Sequence, residues 1–331
     1  MLSLLARPTA TALAMSAALA ALVAGLLAGP ASAAAGGVTH FDLKGAANRP
    51  YSIVSGPDGN LWFTQSDGNA IGRITPAGNL KRFLLPTEES HPYGITVGPD
   101  DNLWFTERIT NRIGVMSTSG TLLAEYDLPT QNAQPWDIAL GGDGALWFTE
   151  ENVDQIGRIT VDGTITEFPL NPGALPTGIA ADANGNIWFT EELGNTIDRI
   201  KVNRPDPFST LKRFQVPTDG ALPWDITLGP DGYMWYTALA SREISRIKPR
   251  GKIKEFPVPG ESGMAGVTAG PDGRLWFTQN DIAQVATMTT DGELGETYAT
   301  LPYPFGITAG PDGNIWFCEG YGDAIGRITL G

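Results

Sequence analysis

The sequence predicts an all-β fold: a seven-bladed β-propeller of four-stranded antiparallel blades, with the last blade closed by the N-terminal strand. Three observations predict it. One tryptophan-centred phrase recurs seven times, each recurrence carries four short β-like segments, and the last repeat lacks a segment that the other terminus supplies. The tryptophans are Trp62, Trp104, Trp147, Trp188, Trp235, Trp276 and Trp316, spaced by 42, 43, 41, 47, 41 and 40 residues. A period near 42 residues is the size of one propeller blade. A β-solenoid is the competing architecture, but its coils are usually shorter.

Within a repeat the first segment resembles Tyr93-Gly94-Ile95-Thr96-Val97 and ends in a Pro-Asp-Gly turn. The second is Leu-Trp-Phe-Thr, the third Ile-Gly-Arg-Ile-Thr, and the fourth resembles Ile165-Thr166-Glu167-Phe168-Pro169. Alternating apolar positions, β-branched and aromatic residues, and Gly/Asn/Asp punctuation all fit strands joined by tight turns. The seventh repeat stops after its third segment, and Thr39-His40-Phe41-Asp42-Leu43 resembles the fourth. Pairing the two ends fastens the ring and covers an exposed strand edge. In the fourth blade Val202-Asn203-Arg204-Pro205-Asp206-Pro207 lengthens a turn on the face away from the expected site, and accounts for the spacing of 47.

Residues 1–33 read as a secretory signal, which places the protein outside the cytoplasm. Arg7 precedes an Ala/Leu-rich run from about residue 10 to 29, followed by Ala31-Ser32-Ala33. These are the n-region, h-region and A-x-A site of an export signal. An uncleaved membrane anchor is the competing reading. The propeller domain is expected over residues 34–331. Without Arg7 the chain carries 21 basic against 36 acidic residues, a balance of −15. That argues against nucleic acid or an anionic membrane as partner, because both require clustered Lys and Arg. Cys318 is the only cysteine, so neither an intramolecular disulfide nor a cysteine-based metal site is available. A closed ring has no need of a second chain, and a monomer is expected.

Antiparallel strand order puts the fourth-to-first and second-to-third connections on one face of the ring. Two positions per blade are expected to line the channel mouth there. The residue after the opening Pro reads Tyr51, Tyr93, Trp136, Thr177, Trp224, Ala265 and Phe305. The residue after Trp-Phe-Thr reads Gln65, Glu107, Glu150, Glu191, Ala238, Gln279 and Glu319. Asp137 and Asp225 add acids where other blades carry Gly or Ser. An aromatic, acid-lined concavity suits a small-molecule or peptide ligand or a cation. Ligand contacts are assigned to Tyr51, Tyr93, Trp136, Trp224, Phe305, Asp137 and Asp225, with a gap at the small residues beside Trp224. Glu107, Glu150 and Glu319 are candidate metal ligands. His91, next to Pro92 at the mouth, is the candidate base, since imidazole titrates near neutrality, and His40 is expected on the surface. The arginines at 73, 158, 199, 246 and 327 read as structural.

The phrases Pro-x-Gly-Ile, Gly-Pro-Asp-Gly-Asn-Ile-Trp-Phe and Ile-Gly-Arg-Ile-Thr resemble the repeats of the virginiamycin B lyase family over roughly residues 36–331. The resemblance implies a seven-bladed propeller that binds Mg2+ and opens a cyclic depsipeptide at its ester by elimination, a carbon–oxygen lyase. That chemistry takes a base for the proton α to a carbonyl and a cation for the enolate-like charge. The family pattern implies histidines where this chain has Ala265 and Phe305, and glutamates where it has Tyr303 and Glu319. Only Glu319 matches. Two readings follow: a lyase with a relocated site, using His91 and Glu319, or a non-catalytic extracellular binding propeller.

Overall fold

The computed structural model describes residues 37–45, 48–260 and 263–331. The signal assigned to residues 1–33 lies outside them. Seven four-stranded antiparallel sheets form, and their innermost strands pack in sequence order, the seventh against the first. These innermost strands are Pro50–Ser55, Pro92–Val97, Pro135–Leu140, Pro176–Ala181, Pro223–Leu228, Met264–Ala269 and Pro304–Ala309. Closure is as the sequence predicts: Val38–Asp42 pairs antiparallel with Ala324–Ile328 and becomes the outer strand of the last blade. Among the described residues no helix is long and apolar enough to cross a membrane.

The repeated phrase is explained by what each tryptophan does. In six blades the indole N–H donates to the turn aspartate four residues earlier, as in Trp62 to Asp58 at 3.1 Å and Trp316 to Asp312 at 2.9 Å. In the fourth blade Trp188 reaches back to Asp182 instead. Each ring is buried and stacks on an aromatic of its own outer strand, from Trp62 on Phe83 to Trp316 on Phe41. The arginines are structural, as expected. Arg73, Arg158, Arg199, Arg246 and Arg327 lie over these tryptophans at 5.2–5.8 Å. Four of them also donate to a backbone carbonyl of the neighbouring blade: Arg73 to Thr118, Arg199 to Pro249, Arg246 to Thr290 and Arg327 to Pro76. One side chain thus covers an indole and ties two blades together.

Every innermost strand carries a bulge just after its opening residue, seen as a register shift such as that between Pro135 and Ile138. A threonine from the second strand fills it. The Thr149 hydroxyl accepts from Asp137 N–H and donates to the Thr177 carbonyl of the next blade. Thr64, Thr106, Thr190, Thr237 and Thr278 repeat the arrangement. The bulge re-aims the residue after the opening Pro toward the mouth. Cys318 takes the threonine position in the last blade, fully buried with its thiol pushed well up by burial, as an inert core group.

Candidate functional site

The two connection types share one face, because loops after second strands hydrogen-bond to loops before first strands. Arg108 N–H donates to the His91 carbonyl, Glu192 N–H to that of Leu175, and Gly320 N–H to that of Tyr303. On this face the bulged aromatics converge over the channel. Tyr51 contacts Tyr93 at 4.3 Å, Phe305 at 5.0 Å and Trp136 at 5.7 Å between ring centroids. Trp136 meets Trp224 edge-on at 5.2 Å. The expected collar is therefore a plug whose rings touch one another. The Tyr51 hydroxyl is held far above its usual range, first by burial and then by Tyr93.

The innermost strands line a cavity of about 410 Å³. Asp137 and Asp225 lie on its wall, and each bridges to the next blade. Asp137 accepts from Ile138 and Ile179 N–H, and Asp225 from Ile226 and Val267 N–H. Burial raises Asp137 to about 6. Burial, and then the charge of Asp137, raises Asp225 to about 7. The blade between them carries glycine for a steric reason. A Cβ on Gly178 would sit 2.5 Å from the Trp224 carbonyl oxygen and 2.8 Å from the Asp225 Cα.

The glutamates at the ends of the second strands are not at the mouth, which corrects the sequence reading. Glu107, Glu150 and Glu319 are completely buried and point across their own blades toward the outer strands. Side chains of a blade alternate between its two faces, which pack on neighbouring blades rather than on the channel. Glu107 accepts from Thr110, Glu191 pairs with Arg213 at 2.6 Å, and Glu319 lies 2.8 Å from His40 Nδ1 and accepts from Leu301 N–H. His40 is exposed, as expected, and its imidazole reaches back to a buried acid. Glu107, Glu150 and Glu319 sit in three separate blades and do not converge as a metal site. Among the described residues no group of three His, Cys, Asp or Glu could hold a metal ion.

What reaches the mouth is the next residue along. Arg108 lies 4.8 Å over Trp136 and 5.2 Å over Tyr93, and its guanidinium is 2.7 Å from Glu151. Glu192 follows in the adjoining blade, raised to about 7 by burial and then by Glu151. Sequence reasoning missed Arg108, Glu151 and Glu192 by one position. The available signal was that the strand ends at the glutamate, so the loop residue after it is the first free of the blade face. His91 is at the rim as predicted, with its Nδ1 3.8 Å from Asp67, which also lies 3.8 Å from Arg49. Tyr303 packs edge-on against Tyr321 at 4.7 Å, beside Phe305.

The family model of the virginiamycin B lyase family matches residues 29–206 and 201–331. The chain belongs to the virginiamycin B lyase family. Among solved structures, a streptogramin B lyase is similar at 34% identity with a TM-score of 0.82, covering 89% of this chain and 97% of its own. The virginiamycin B lyase of Staphylococcus aureus is similar at 33% identity with a TM-score of 0.82, covering 89% of this chain and 99% of its own. A catalytically inactive histidine-to-alanine form of that enzyme with quinupristin matches equally well, at 33% identity and a TM-score of 0.82. No curated protein matches the chain. The positions where family resemblance implies metal and proton chemistry hold the Tyr303 ring, the Phe305 ring, buried Ala265 and the sequestered Glu319. Three of the four have no side chain suited to binding Mg2+, so the set does not fit that ion.

Proposed function

We propose that this member of the virginiamycin B lyase family captures apolar cyclic peptides or depsipeptides at its plugged mouth and does not open them by the family's histidine-based elimination. The observation that carries this reading is the pair of residues at the implied histidine positions. Phe305 packs tilted against Tyr51 at 5.0 Å and Ala265 is buried, and neither a phenyl ring nor a methyl group can take a proton. Elimination at an ester needs a positioned base, whereas touching rings capped by a guanidinium form a platform for apolar and aromatic ligand groups. The relative crystallised with quinupristin supplies the ligand class to test. The export signature of residues 1–33 supports a site of action outside the cytoplasm, and the self-closed ring supports a monomer.

One observation favours a second reading, a lyase with a relocated base. His91 faces Asp67 at 3.8 Å on the rim, where a carboxylate can orient an imidazole. Glu319, the other catalytic candidate, is fully buried against His40 and serves neither reading directly. The binding reading is tested by titrating a type B streptogramin into the protein and following tryptophan fluorescence. A saturable change is expected, weakened by Trp136→Ala and Arg108→Ala. A flat titration in the wild type contradicts it.

A further inference from the structure

In six of the seven blades a pair of polar positions lies in the outer half, the fifth having Ala238 at one of them, and the repeats act as controls on one another. The pair comprises the last residue of the second strand and the central residue of the outer strand, with the first residue of the third strand beside them. In the second blade Glu107 and Glu125 have Arg112 alongside, 3.8 Å from Glu125. In the fourth, Arg213 bridges Glu191 at 2.6 Å and Asp198 at 3.0 Å. In the last, His40 meets Glu319 at 2.8 Å.

The third blade has the acids without the cation. Glu150 and Glu167 occupy the pair, and Gln155 stands where the second blade has Arg112. Glu150 is completely buried, and apart from the facing Glu167 carboxyl neither of its oxygens has a polar partner among the described residues. Glu167 is fixed facing it, with its oxygens accepting from Thr130 N–H at 2.9 Å and Thr130 Oγ1 at 2.7 Å. Gln155 Oε1 lies 3.5 Å from the same hydroxyl. Glu167, Gln155 and Thr130 are only half-buried, which leaves an approach from solvent. Burial and then the charge of Glu167 raise Glu150 to about 8. Without a counter-charge Glu150 therefore keeps its proton near neutrality, and both carboxylates can ionise there only beside a cation.

We propose that the third blade binds one hard divalent cation between Glu150 and Glu167, with Gln155 Oε1 and Thr130 Oγ1 as further oxygen donors. An all-oxygen set selects Ca2+ or Mg2+ over softer metals. The ion does for this blade what Arg112, Arg213 and His40 do for the second, fourth and last. The site is separate from the mouth, so its failure would leave the ligand-binding reading untouched.

The test is calorimetric titration of the metal-free protein with CaCl2 and with MgCl2, alongside thermal denaturation in each. One ion per chain and a raised Tm are expected, and both are lost in Glu150→Gln. Gln155→Arg supplies the guanidinium that the second blade carries, so it should fold with the ion-loaded wild type's stability and ignore added metal. No heat and no Tm change at roughly 10 mM of either ion, beyond the affinity range of extracellular calcium modules, would overturn the proposal. So would ion binding that persists in both variants. A wild-type Tm that ignores metal but falls as pH rises through about 8 would mean that a shared proton fills the site, which also overturns it.

Discussion

His40 Nδ1 lies 2.8 Å from Glu319 Oε2, joining the strand that closes the ring to the end of the last blade's second strand. The carboxylate is completely buried, and among the described residues its one other hydrogen bond comes from Leu301 N–H. Removing the imidazole leaves a buried acceptor half-satisfied. His40→Ala should therefore destabilise by about 1–3 kcal/mol, read by denaturant unfolding. His91→Ala, at an exposed rim, should change stability by less than about 0.5 kcal/mol.

Arg108 holds the plug from outside through two aromatic faces and Glu151. Arg108→Ala should cost about 1–2 kcal/mol, from the lost cation–π contacts and the stranded Glu151. It should also shift the tryptophan emission through Trp136. A spectrum and a Tm both unchanged would mean that the guanidinium does not rest on the rings in solution.

The channel aspartates make stability depend on pH in a stated direction. Asp137 and Asp225 are raised to about 6 and about 7 in the folded protein. A raised carboxyl keeps its proton in the fold at pH values where the unfolded chain has lost it. Its stabilising contribution is complete below about pH 4, the unfolded value, and is lost as pH rises through the folded values. Tm should fall between about pH 5 and 8, and Asp225→Asn should make the decline shallower. Equal slopes for variant and wild type would contradict the assignment.

Gly178 has no room for a methyl group, because what it would meet is the backbone of Trp224 and Asp225 in the next blade. Backbone cannot swing aside as a side chain can. Gly178→Ala should cost about 1–3 kcal/mol, measured by thermal unfolding, while keeping the propeller's far-ultraviolet spectrum.

The blade count, the strand order and the N-terminal closure were legible because each repeat states them in Trp, Pro-Asp-Gly and Ile-Gly-Arg. The aromatic mouth was legible too, since the residue after the opening Pro is marked by that Pro. The glutamate series was misplaced by one residue. Strand periodicity says that side chains alternate, but not that both faces of a blade are covered by its neighbours. Arg108, Glu151 and Glu192 stand in loops outside the repeated phrase, so no pattern drew attention to them. The partnership of His40 with Glu319 spans 279 residues and depends on closure, which local reading does not resolve into contacts.

The most direct measurement of the central claim is chromatography with fragmentation of a type B streptogramin after incubation with the protein and Mg2+, with Ala265→His/Phe305→His/Tyr303→Glu and His91→Ala variants alongside. Elimination leaves the mass unchanged, so retention time and fragments report the linear product. The account predicts intact macrocycle with wild type, bound but not opened, and first traces of linear product when the family residues are restored. Ring opening by wild type, abolished by His91→Ala, would contradict it and establish a lyase with a relocated base.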